Sequence, residues 1–213
     1  MTTVQIISGD FNITDPGWPR YTLWKTGTVF TSDGFNNPET GEGQLSDADM
    51  GGAPHPWDIN TSGFTNQGGQ LKHVGTGNRF MQAPSTNMLV ELKFAANTAQ
   101  HSWGFYMRRP GQVFNEGWLQ FHIYPEYIDI RETPVGGTTK QLARASHTIQ
   151  AGDVIGFQHF DGVMSVLVNG TQVASGELTP AVHDSLQGKH FGFSTLSSKI
   201  TETLIDWMKV TAL

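Results

Sequence analysis

DVIGFQHFDGVMSVLVNGTQVAS, residues 153–175, spells out three antiparallel strands and both of their turns. Asp161-Gly162 and Asn169-Gly170 are dipeptides that tolerate the positive φ of two-residue type I′ turns, and apolar alternation flanks each of them. Counting outward sets the register. Phe160 faces Val163, His159 faces Met164, Phe157 faces Val166 and Ile155 faces Val168 across the first turn, while Val166 faces Val173 and Val168 faces Thr171 across the second. One face then collects Ile155, Phe157, Met164, Val166, Val168 and Val173. The other collects Gly156, Gln158, Ser165, Leu167, Gln172 and Ala174, which is too mixed for a second core and suits a sheet with one wetter side. The stretch is half of a sandwich that needs a partner sheet.

Composition points the same way. Among 213 residues, 25 glycines and 10 prolines stand against only 37% apolar residues, which favours many short strands joined by tight turns and leaves helix a minor part. A chain of this length can bury one large all-β core, so a single domain over 1–213 is expected, with a loop-rich N-terminal third over about 1–84. The net charge is −6 and the 13 lysines and arginines never cluster, which argues against a nucleic-acid partner. With no cysteine there is no disulfide, no thiolate catalysis and no cysteine-ligated metal, so stability falls to packing and to possible homo-oligomerisation. The opening MTTVQIISGDF lacks a basic segment followed by an apolar run, and nothing approaches the length of a membrane span; neither secretion nor membrane insertion is expected.

The remaining strands follow from alternation. Residues 4–7 read as a short strand, and the loop-like 27–80 carries short strands near 28–31, 70–74 and 78–82 on long connections that decorate the sandwich. Met88, Val90, Leu92 and Phe94 share one face of the next strand, and Trp103, Phe105 and Met107 do the same after it. Leu119, Phe121 and Ile123, then Ile128 and Ile130, form a hairpin about Pro125-Glu126. Its register pairs Ile123 with Ile128, Phe121 with Ile130, Tyr124 with Tyr127 and His122 with Asp129. Past Gly136-Gly137 come a strand near 140–145, the meander, a loop over 178–189 and closing strands near 191–195 and 201–212. In the last, Leu204, Met208 and Val210 alternate with Ile205 and Trp207, and both faces read as buried.

The order strand, Asp-Gly turn, strand ending VLVNG, short strand, FGFST and LIDWMKVTAL resembles the concanavalin A-like lectin/glucanase jelly roll over residues 88–213. That implies an all-β, two-sheet antiparallel β-sandwich. The opening SGDFNITDPGW also resembles the start of jelly-roll domains in bacteriophage minor tail proteins, although Asn12-Ile13-Thr14-Asp15 replaces their usual Asn-Arg-Ala-Asp. This second resemblance implies a non-enzymatic virion structural protein, tail- or capsid-associated and assembled in the host cytoplasm. Its partners would be other virion proteins and a cell-surface glycan. The alternatives on the same fold are a glycan-active enzyme, that is a glycoside hydrolase, and a free cellular lectin.

Glycoside hydrolases of this jelly roll carry Glu-x-Asp-x-(x)-Glu on one strand, and Glu126-Tyr-Ile-Asp129-Ile-Arg-Glu132 invites the comparison. Side chains three apart on a strand point to opposite faces, and the two glutamates lie roughly 20 Å apart at about 3.3 Å per residue. A retaining pair needs about 5–5.5 Å, so no catalytic residue is assigned. The outward residues of the middle strands are the ligand-binding candidates: Tyr106, Arg108, Trp118, Gln120, His122, Tyr124, Tyr127, Asp129 and Arg131. Aromatic rings beside amides, a carboxylate and guanidinium groups offer apolar area with orienting hydrogen bonds. The competing expectation is that loops cover this face as a second core. Asp33, Asn36, Asn37 and Glu39, with Asp47 and Asp49, are oxygen ligands of the kind calcium takes, but they follow no calcium-loop spacing and are equally turn residues, so no metal or other cofactor is assigned.

Overall fold

The computed structural model describes residues 27–36, 44–48, 50–60, 63–82, 85–97, 102–109, 117–186, 188, 190–195 and 203–213. The short early strands are β1 (Val29–Asp33), β2 (Gln44–Leu45), β3 (Pro56–Trp57), β4 (Ile59–Asn60), β5 (Phe64–Asn66), β6 (Leu71–His73) and β7 (Gly77–Gln82). Longer ones follow: β8 (Met88–Asn97), β9 (Trp103–Arg109), β10 (Trp118–Ile123), β11 (Ile128–Thr133) and β12 (Lys140–Ala145). The chain ends with β13 (Val154–Phe160), β14 (Val163–Val168), β15 (Thr171–Glu177), the helix α1 (Pro180–Ser185), β16 (His190–Thr195) and β17 (Thr203–Ala212). Two large antiparallel sheets result, with β2 and β3 paired as a separate two-stranded ladder. One, the meander sheet, runs β15-β14-β13-β8-β17-β6-β5 with β1 added against β17; the other, the platform sheet, runs β12-β11-β10-β9-β16-β7-β4. This is the jelly-roll sandwich expected from the sequence.

The meander forms because its turns can. Asp161 and Gly162 sit at φ 46° and 80°, Asn169 and Gly170 at 50° and 82°, which is type I′ geometry. Every pair counted across the first turn is present, from Phe160 with Val163 to Ile155 with Val168. Across the second turn the expected register holds only for its first step. Val168 pairs with Thr171, but a bulge then places Ala174 opposite Val166, so Val173 is the extra residue and is 46% exposed instead of joining the core. Bulges in β17 act similarly: Ile205, not Leu204, joins Met208 and Val210 in the buried set.

The first third does more than decorate. The short strands expected near 28–31, 70–74 and 78–82 are β1, β6 and β7; with β5, β6 finishes one edge of the meander sheet and with β4, β7 finishes the corresponding edge of the platform sheet, which corrects only the reading of this segment as decoration. Residues 4–7 lie outside the described residues. The two sheets meet through phenylalanines: the Phe157 ring of β13 lies 5.0 Å from Phe105 of β9 and 4.8 Å from Phe121 of β10. Each such pair adds about 1 kcal/mol beyond the area it buries. Met88, Val90, Leu92 and Phe94 line the same core, as alternation required.

Candidate functional site

The β10–β11 hairpin organises the outward face of the platform sheet. Its inward residues Leu119, Phe121, Ile123, Ile128 and Ile130 are fully buried, and the pull of that apolar row fixes which residues point out. Tyr124 N–H donates to Tyr127 O at 2.9 Å to close the turn, and His122 pairs with Asp129, Gln120 with Arg131, as the sequence register required. On the other side β9 brings Tyr106 beside Gln120 and Gly104 beside His122. A Cβ at Gly104 would come within 2.5 Å of the Tyr106 ring and 2.6 Å of Gln120 Nε2. Glycine there lets the phenol and the amide lie across the strand, where Gln120 Nε2 donates to Tyr106 Oη at 2.9 Å.

Two neighbourhoods share this face. Toward β7, Phe80, Tyr106 and Trp118 form a small apolar cluster with edge-on rings, Phe80 to Tyr106 at 6.2 Å and Tyr106 to Trp118 at 5.2 Å. Toward β12 lies a charged network centred on Asp129, whose side chain is fully buried. Arg144 Nε donates to Asp129 Oδ1 at 2.7 Å, Arg131 Nη2 to Oδ2 at 2.8 Å, and Arg144 Nη2 to Oδ2 at 3.2 Å. Burial alone would raise the Asp129 pKa; the hydrogen bonds and charges of Arg144 and Arg131 outweigh it and hold the carboxyl below the usual range. Arg131 also donates from Nη1 to His122 Nδ1 at 2.5 Å and from Nη2 to Tyr124 Oη at 2.9 Å. Burial first, and the Arg131 charge second, push His122 down to about 4, so its ring is neutral at neutral pH and accepts on Nδ1.

The rings of this network face one another. His122 stacks on Tyr124 at 4.5 Å, Tyr124 on Tyr127 at 4.4 Å, and the Arg144 guanidinium caps Tyr127 at 3.8 Å. The column therefore offers its edges, hydroxyls and guanidinium ends, and not open ring faces, to anything that approaches. The expected wet face is also drier than alternation implied, with Tyr106 5%, Gln120 4% and Asp129 0% exposed. Arg108 leaves the group altogether. A bulge where β9 meets β16 and a φ of 51° turn it to the end of α1, where Nη2 donates to the Leu186 and His183 carbonyls. A guanidinium there satisfies carbonyls that a helix end leaves without partners. Eight of the nine sequence candidates stay on the platform face, and it gains two that alternation alone did not supply. Phe80 comes from β7, and Arg144 comes from β12, whose register against β11 contains a bulge that no spacing announces.

Glu126 sits exposed in the hairpin turn, and Glu132 turns to the other side of β11, buried, where it accepts Thr179 N–H at 2.9 Å and meets Lys140 Nζ at 3.7 Å. The 126–132 run thus holds no facing pair of carboxyls. Of the oxygen-rich loops, Asn37, Glu39 and Asp49 lie outside the described residues. Asp33 is committed inside the core: it accepts Trp57 Nε1–H at 2.8 Å and Phe35 N–H at 2.7 Å, with the Arg79 guanidinium 3.8 Å away. Burial pushes its pKa up to about 6 against the pull of those partners. Asp47 accepts Asn36 N–H at 3.2 Å. Among the described residues no group of three or more His, Asp or Glu side chains is placed to hold a metal ion.

Comparison with solved structures gives the architecture its relatives. A non-specific endo-β-1,3(4)-glucanase, SCLam of family GH16, superposes with a TM-score of 0.57 at 12% identity, over 89% of this chain and 92% of its own. The Bacillus licheniformis β-glucanase gives 0.55 at 14% identity, over 89% of this chain and 100% of its own. LamA from Z. galactanivorans, solved with laminaritriose and laminaritetraose, gives 0.54 at 13% identity, over 88% and 100%. No protein-family model and no curated protein sequence matches the chain. These likenesses place the protein in the concanavalin A-like jelly-roll fold. They correct the expectation of a non-enzymatic tail- or capsid-associated protein, because the solved structures that share this architecture over most of the chain include glucanases.

Proposed function

We propose that the chain is a glycan-active enzyme of the glucanase type that holds a polysaccharide against the outward face of the platform sheet. The observation that carries this reading is the extent of the likeness: one jelly roll accounts for most of this chain and for nearly all of each glucanase it matches. The face supplies suitable chemistry. The Arg131 and Arg144 guanidinium groups, partly exposed, and the half-buried Trp118 indole stand on strands, and the Tyr124 and Tyr127 hydroxyls flank the β10–β11 turn, a set that can meet sugar hydroxyls and a pyranose flank. Asp129 contributes a fixed negative charge that keeps both guanidinium groups in place. Held ionised, it is unsuited to donating a proton to a leaving group, so a hydrolytic step draws its acid from another carboxyl.

Reducing-sugar release from laminarin, mixed-linkage β-glucan and a panel of other polysaccharides tests the reading. Turnover is expected on at least one of them, with kcat/KM lowered about tenfold or more in Trp118→Ala and Arg144→Ala. Binding of the oligosaccharides without turnover would replace the enzyme by a binding module. Neither binding nor turnover would remove the glycan reading.

A further inference from the structure

The geometry points to a second saccharide-binding site, on the outward face of the meander sheet, taking a neutral pyranose through Phe160, Gln158, Gln172 and Ser165. A depression of about 410 Å³ lies there, lined by Gln158, Phe160, Asp161, Val163, Ser165 and Gln172. That volume falls in the range of small-ligand sites. The strand register builds it: Gln158 lies opposite Ser165, Phe160 opposite Val163, and the Asn169-Gly170 turn sets Gln172 opposite Leu167 on the same side, just before the bulge that expels Val173. Ser165, 4% exposed, forms the floor, while the Phe160 ring stands 47% exposed at the rim.

No side-chain hydrogen bond engages Gln158, Gln172 or Ser165 among the described residues, so two carboxamides and a hydroxyl stand ready beside an aromatic ring. A carboxamide presents a donor and an acceptor at the spacing of vicinal sugar hydroxyls, and an exposed ring matches the apolar flank of a pyranose. Charge selects among sugars. No lysine or arginine lines the depression, Asp161 is at its edge, and Glu177 pairs with Val163 beside it, so uronates, sulfated sugars and phosphates are repelled. The occupant is therefore a neutral saccharide. The site stands on the sheet opposite the platform face and does not depend on the function proposed there.

Titration of the full ¹⁵N-labelled chain with neutral gluco-, manno-, galacto- and N-acetylglucosamine tetrasaccharides, and with trigalacturonate as the anionic control, tests it. At least one neutral tetrasaccharide is expected to shift the Gln158 and Gln172 side-chain amide signals saturably. Phe160→Ala and Gln158→Ala should each weaken that binding about tenfold or more, and Trp118→Ala on the other sheet should leave it unchanged. Any of four results overturns the site: no saturable shift across the neutral panel, tighter binding of trigalacturonate, undiminished affinity in Phe160→Ala, or shifts that follow protein concentration instead of sugar. Loss of turnover in Trp118→Ala with these shifts intact would separate the two sites.

Discussion

The two outward faces of the sandwich handle polar and aromatic groups in opposite ways. On the platform sheet, His122, Tyr124, Tyr127 and Arg144 stack in one column, and Asp129 is enclosed by two guanidinium groups. On the meander sheet, Phe160 stands free of ring contacts and the Gln158 and Gln172 carboxamides make no side-chain hydrogen bond among the described residues. A face whose groups satisfy one another is rigid and preorganised, but it can offer a ligand only what is left over. An unengaged face is softer and keeps its hydrogen-bonding capacity for whatever arrives. The stability of the protein therefore depends on the first face far more than on the second.

Asp129→Ala tests this most severely. It leaves Arg131 and Arg144 without their shared counter-charge and should cost about 3 kcal/mol in urea unfolding, the low end for breaking a buried ion pair because both guanidinium groups reach water. A loss under about 1 kcal/mol would mean the network is ornamental. Tyr127→Ala comes next, since it removes one aromatic stack and one cation–π contact together, and should cost about 2 kcal/mol.

A pH series sharpens the comparison by sign. The folded pKa of His122, about 4, lies below its ordinary value near 6.5, so its contribution is present above 6.5 and is lost as pH falls toward 4. Asp33 acts oppositely: its folded pKa, about 6, lies above the ordinary carboxyl value, so its contribution is present at low pH and is lost as pH rises to about 6. In the parent protein the two slopes offset each other. Relative to the parent, the melting temperature of His122→Phe should rise less, or fall more, between pH 4 and 6.5, and that of Asp33→Asn should rise more between pH 4 and 6; curves parallel to the parent for both variants would remove the assignment. The smallest effect belongs to the open face, where Phe160→Ala should change stability by no more than about 0.5 kcal/mol. A larger loss would show that the ring is a packing residue.

The sequence by itself determined the architecture wherever a strand had a periodic apolar row and a short turn of recognisable chemistry. Asp161-Gly162 set six consecutive pairs of β13 with β14, and Pro125-Glu126 set the whole β10–β11 ladder, because a two-residue turn leaves only one register that buries Phe157 or Phe121. It also brought most of the platform candidates to one surface, since alternation is a local property. What it could not determine were the bulges that free Val173, turn Arg108 to the end of α1, and set Arg144 against Asp129, because an extra residue in a strand leaves no periodic trace until the partner strand is present. Nor could it tell that the rings of the platform face are spent on one another while Phe160 is not. Both outcomes depend on which strands lie side by side, and that is settled by sheet pairing between segments far apart in the chain, where tertiary contacts override local pattern.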